Sequence, residues 1–230
     1  IQLFRRGEEV AIQVNATSGV LNYLEFYGQG NDGKGDTELY SQAQAQPHTE
    51  YNIFTDTAAY FLTWKLVSGA VKRIALSNDT NTTGLTPQPF HLAEDLTIEA
   101  TRYASGIKFG SGSSFSLSDY DFGEGWTGNS VAKGGFKQFD LTLENINAGT
   151  NPQLEIVLIG ENTLSHNVDV LVGPNATTLR NIGNVQFADR TYETAIFPFL
   201  NSDIAGSGNL TVRVNTTGFD GAAEQGIYST

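Results

Sequence analysis

The sequence predicts an all-β protein built as two β-sandwich, jelly-roll-like domains packed together, with little helix. Three observations carry that expectation. Thr, Asn and Gly take the place that charged residues usually hold: 24 Thr, 18 Asn and 25 Gly stand against a charged fraction of 17%. Thr favours strands, whereas Asn and Gly favour the turns between them. Turn signals also recur about every 8–15 residues between short apolar runs, as they do in sandwiches.

The elements follow in order. Ile1–Phe4 and Val10–Val14 flank Arg5–Glu9, a hairpin pattern with Gly7 in the turn. Tyr23–Gly28 forms the next strand and precedes the polar loop 29–36. Ala58–Leu66, rich in aromatics, and Val71–Leu76 are further strands. Ser77–Pro89 is nearly devoid of apolar residues and holds two prolines, which marks a boundary between domains 1–80 and 81–230. Leu92–Tyr103 is the one candidate helix, weakened by its β-branched Thr97-Ile98 pair. A Gly/Ser-rich stretch covers 105–118. Phe139–Glu144 alternates as a half-buried strand does, and Leu154–Ile159 is apolar throughout, as in a strand buried on both faces. Val168–Val172, Glu193–Leu200 and Leu210–Val214 complete the set.

The net charge of −12, with 13 scattered basic residues, excludes a backbone-phosphate reader, so no nucleic acid partner is expected. No run of 18 apolar residues exists, so no membrane insertion is expected. Cysteine is absent, which removes disulfides, thiolate metal sites and cysteine nucleophiles together. Methionine is also absent, which places Ile1 within a longer precursor, and no N-terminal signal peptide is visible.

Candidate chemistry is sparse. No Gly-x-Ser-x-Gly elbow supports a serine nucleophile. The three histidines, His48, His91 and His166, show no clustering; a His at a strand start, like His166, is ordinarily a packing residue. Gly123-Glu124-Gly125-Trp126, next to Tyr120 and Asp121, offers two kinds of site. Trp126 and Tyr120 can stack on a sugar with Glu124 hydrogen-bonding it, or Asp121 and Glu124 can act as a glycosidase pair. Alternatively Glu124 caps backbone amides and Trp126 covers a sandwich edge. The loop carrying Asn31, Asp32, Asp36 and Glu38 presents oxygens to calcium, but departs from the EF-hand pattern and holds Lys34 at its centre. The competing expectation is a hairpin turn without a cofactor. Six Asn-x-Ser/Thr sequons occur, at Asn15, Asn78, Asn81, Asn175, Asn209 and Asn215.

Five stretches in order carry a family resemblance: IQLFRRGEE (1–9), YLEFYGQGNDGKGDTELY (23–40), YNIFTDTAAYFLTW (51–64), YDFGEGW (120–126) and HNVDVLV (166–172). The chain resembles the N-terminal, non-catalytic region of large secreted Bacteroidetes proteins of the gingipain-like cysteine peptidase family, which includes the type IX secretion sortase. The resemblance implies two β-rich domains upstream of a caspase-like domain that holds the catalytic Cys and His. It also implies a bacterial protein that is secreted or held at the cell surface. On this basis the chain is a non-enzymatic accessory segment that packs against or positions a downstream domain of the same precursor, or meets a cell-envelope protein or glycan. A carbohydrate-binding or adhesin-type module is the alternative, and a glycoside hydrolase the third.

Overall fold

A computed structural model describes residues 1–64, 70–76, 80–104, 119–147, 149, 151–217 and 226–229. The Gly/Ser-rich stretch 105–118 and the sequon at Asn78 lie outside them. The chain is mostly β, as its Thr, Asn and Gly content predicts, and divides into two compact units. One combines Ile1–Asp32 with Phe54–Pro89; the other combines Gly33–Ile53 with Phe90–Thr230. Residues 33–53 thus join the second unit, whereas the sequence placed them in the first.

The first unit holds β1 (Gln2–Arg5), β2 (Glu8–Val10), β3 (Ile12–Thr17), β4 (Val20–Phe26) and β5 (Phe61–Thr63). β1 pairs antiparallel with β2 and with β5, and β3 pairs with β4. The turn between β1 and β2 is two residues long, Arg6 and Gly7, both at positive φ (50° and 81°). That is the turn whose twist matches the flanking strands. Ser18 and Gly19 repeat it between β3 and β4. The strand expected over Val71–Leu76 is replaced by one parallel bridge, Ile12 to Arg73. Among this unit's described residues only Leu3 and Ile12 are buried apolar side chains.

The second unit is a β-sandwich. It adds β6 (Arg102–Ala104), β7 (Gly125–Thr127), β8 (Val131–Ala132), β9 (Phe136–Thr142), β10 (Gln153–Gly160), β11 (Ser165–Asn175), β12 (Thr178–Ala188), β13 (Tyr192–Pro198), β14 (Asn209–Thr216) and β15 (Gly226–Ser229). One sheet runs β13-β10-β15-β8, the other β12-β11-β14-β9. Their inner faces share a core in which Leu158 of the first sheet meets Val168, Val170, Phe187 and Val214 of the second. A continuation around Val172, Phe199, Ile204, Leu210 and Val212 extends it. The apolar run in β10 is most buried at its end, where Leu158 and Ile159 are each 1% exposed.

The helix expected over Leu92–Tyr103 does not form. Residues 92–101 are irregular and 102–104 are strand β6, paired with β7; the β-branched Thr97-Ile98 pair, a poor helix former, lies in the irregular part. The hairpin turn expected in the 31–38 loop is instead a 3-10 run over Gly33–Leu39.

Candidate functional site

Trp126, Tyr120 and Glu124 do come together, in the second unit, but facing other protein groups. Tyr120 exchanges backbone hydrogen bonds with the 39–41 segment, so its ring lies 5.6 Å from that of Tyr40. Gly123 sits at φ +66°, where a Cβ would be 2.8 Å from Ile159 Cγ2; the tight loop therefore needs glycine there. Glu124 accepts from the Asp121 backbone amide at 3.0 Å and from the Tyr103 hydroxyl at 3.3 Å. Its own carbonyl accepts from the Tyr40 hydroxyl at 2.6 Å.

Trp126, on β7, is only partly exposed. Its indole N–H donates to the Ile53 carbonyl at 2.7 Å, and its ring stands edge-on to Tyr51 and Tyr103 at 6.2 and 5.6 Å. Burial, reinforced by the Glu124 charge, pushes the Tyr103 hydroxyl pKa well above that of a free phenol, so it stays a donor. Tyr40 shifts the same way, through burial and then the charges of Asp36 and Glu124. Asp121 accepts from the Phe122 amide at 2.8 Å. Both carboxylates of the expected glycosidase pair thus cap backbone amides of their own loop.

Three of the four expected calcium ligands also face protein donors. In the first unit, Arg6 donates to Asp32 Oδ1 at 2.8 Å and to Asn31 Oδ1 at 2.6 Å. In the second, Asp36 is 4% exposed and both its oxygens accept, from Asn52 Nδ2 at 2.5 Å and the Ile53 amide at 2.8 Å. Glu38 points into solvent. Among the described residues no three of His, Cys, Asp and Glu gather where a metal ion could be held. His166 is buried against Phe187 at 4.7 Å between ring centroids, a packing residue as its place at the start of β11 suggested.

A surface that the sequence did not single out lies on the outer face of the β12-β11-β14-β9 sheet. The register aligns Asn184, Asp169, Asn215 and Phe136 in one row, one residue from each strand. Phe136 is 56% exposed, with the Arg213 guanidinium 4.4 Å from its ring centre. Arg213 is held by Gln138 Oε1 at 2.7 Å and the Ala176 carbonyl at 3.1 Å. Asn184 donates to Asn167 and Asp169, each at 2.7 Å, and accepts from Gln186 at 3.2 Å. Solvation alone asks for a polar outer face on an antiparallel sheet. It does not ask for an open phenyl ring in line with amides and a carboxylate.

That row was hidden because β12, alone of the four strands of this sheet, was not among the strands expected from the sequence. Its apolar positions change parity at a bulge, where Val170 pairs with Gly183 but Leu171 with Asn181.

Among the described residues, no helix is long and apolar enough to cross a membrane. No family model matches the chain, and no curated protein matches it. A solved structure of a carbohydrate-binding module, CBM36, in complex with calcium and xylotriose is similar at 17% identity and a TM-score of 0.30. That match covers 56% of this chain and 92% of the other.

Proposed function

We propose that this chain is a non-catalytic module that binds glycans on the outer face of the β12-β11-β14-β9 sheet. The row Phe136–Asn215–Asp169–Asn184 carries the proposal. Sugars present C–H faces that stack on an aromatic ring, and hydroxyls that both donate and accept. Side-chain amides and carboxylates supply both halves of that hydrogen bonding. The scattered basic residues and net charge of −12 disfavour nucleic acid on the same face. Electrophoresis through gels containing neutral polysaccharides tests the proposal. Retardation should occur and should be lost in Phe136→Ala and Asp169→Ala, with the melting curve little changed. Retardation that persists in both variants would move binding elsewhere.

A second role is favoured by the first unit, where Tyr27, Trp64, Phe54 and Phe61 are 80, 75, 68 and 66% exposed. So much open apolar surface over so small a core is the mark of a surface made to be covered. It supports an accessory segment that docks a downstream domain or a cell-envelope protein, as in the gingipain-like secreted proteins the sequence resembles. Phe61→Ser with Trp64→Ser should abolish association with the rest of the parent protein and leave polysaccharide retardation intact.

A further inference from the structure

The row across the sheet has a direction and a length, and these narrow the ligand. Neighbouring strands lie about 4.8 Å apart, so four strands span about 14 Å from Phe136 on β9 to Asn184 on β12. One side chain per strand at that spacing is close to the step of one pyranose ring in an extended, equatorially linked chain. Three or four consecutive rings then meet Phe136, Asn215, Asp169 and Asn184 in turn.

Charge narrows it further. Asp140 and Asp169 both face outward from this sheet, Asp140 accepting from Thr211 at 2.7 Å. The cation beside them, Arg213, already serves Gln138, Ala176 and the Phe136 ring. A uronate or sulfate ester on the chain would meet two carboxylates, within a molecule of net charge −12.

We infer that the ligand is a neutral, extended glycan of three to four rings, lying across the strands with one end on Phe136. The inference rests on the glycan-binding role proposed above. Calorimetric titration with neutral β-1,4-linked gluco- and manno-oligosaccharides, from disaccharide to hexasaccharide, tests it beside oligogalacturonates of the same lengths. Affinity should rise by about tenfold or more from disaccharide to tetrasaccharide and then level off. Galacturonates should bind at least about tenfold more weakly, and Asp169→Asn should narrow that gap. Phe136→Ala, which removes the stacking ring, should abolish detectable binding at every length, in keeping with the lost retardation. Neutral binding with a flat dependence on length, or galacturonates bound equally well, would overturn the inference and leave glycan binding standing. No heat with any neutral oligosaccharide, and no retardation in any neutral polysaccharide gel, would overturn both.

Discussion

The indole N–H of Trp126 donates to the backbone carbonyl of Ile53 at 2.7 Å, across 73 positions of sequence. That bond ties strand β7 to the chain that follows the 3-10 run, and Tyr51 and Tyr103 stand edge-on to the same ring. A tryptophan so engaged is a fastener of the second unit.

Trp126→Phe keeps an aromatic ring among those neighbours and removes the donor. The carbonyl of buried Ile53 loses its partner, at a cost of about 1–3 kcal/mol. Thermal unfolding should show the loss. Polysaccharide retardation, assigned to a different face, should not change. A variant that melts like the parent but no longer binds sugar would reverse the roles given to Trp126 and Phe136.

Asp36→Asn turns one of two accepting oxygens into a donor facing a donor, either the Asn52 amide or the Ile53 N–H. Destabilisation by about 1–3 kcal/mol should follow in chemical denaturation. Since these oxygens are taken by protein groups, neither EDTA nor added calcium should move the melting temperature. A ligand bound only by the native state would raise it by mass action. A calcium-dependent rise would show that the loop rearranges to admit the ion.

His166 gives the fold an acid-sensitive point. Its ring is 1% exposed, and burial lowers its pKa; the nearby Asn162 and Asp189 carbonyls and the Asp189 charge oppose that shift only in part. The unfolded chain binds the proton near pH 6.5, whereas the folded chain binds it only at lower pH. Stability is therefore full above about pH 6.5 and falls as the pH drops below it. Melting temperatures measured from neutral pH downward should show that slope, and His166→Phe should flatten it. An unchanged slope in the variant would assign the acid sensitivity to another group.

The Arg180–Asp203 pair acts in a lower range. Arg180 donates to both Asp203 oxygens, at 3.0 and 2.5 Å, and the Leu200 amide donates at 2.8 Å. The Arg180 hydrogen bonds hold the Asp203 pKa below its ordinary 3.8, with burial opposing. The stabilisation is therefore present above about pH 4 and is lost as the pH falls through the lowered folded value. Arg180→Met should cost about 0.5–1 kcal/mol at neutral pH, since the arginine is nearly half exposed to screening solvent, and much less near pH 2. Equal losses at both values would mean the contribution is packing by the arginine stem.

What could be read from sequence follows from how locally each feature is encoded. The strands at Phe139–Glu144, Leu154–Ile159, Val168–Val172, Glu193–Leu200 and Leu210–Val214 were legible within a residue or a few, because alternation or continuous apolar character marks each one. β12 was not, because Ile182, the extra residue at its bulge, packs on the core yet falls out of step with Val185 and Phe187. The pairing of Glu124 and Trp126 with Tyr40, Tyr51 and Ile53 joins positions some 70–85 residues apart, which no local pattern announces. The loop acids were visible, but the donors that occupy them, Arg6 and Asn52, lie outside the loop. The sheet-face row depends on register, which emerges only when four strands are laid side by side.

The alternation of chain segments between the two units also governs how the molecule can be divided and made. Each unit is completed by residues that lie beyond part of the other: 54–89 for the first, 90–230 for the second. During synthesis, residues 33–53 emerge well before the strands they will join and must wait, unassembled, until those arrive. A fragment ending at residue 89 would carry that segment as an orphan, and one starting at 90 would lack it. A clean separation calls for an internal excision, closing the chain from 32 to 54, with residues 33–53 supplied separately as a peptide to the 90–230 fragment.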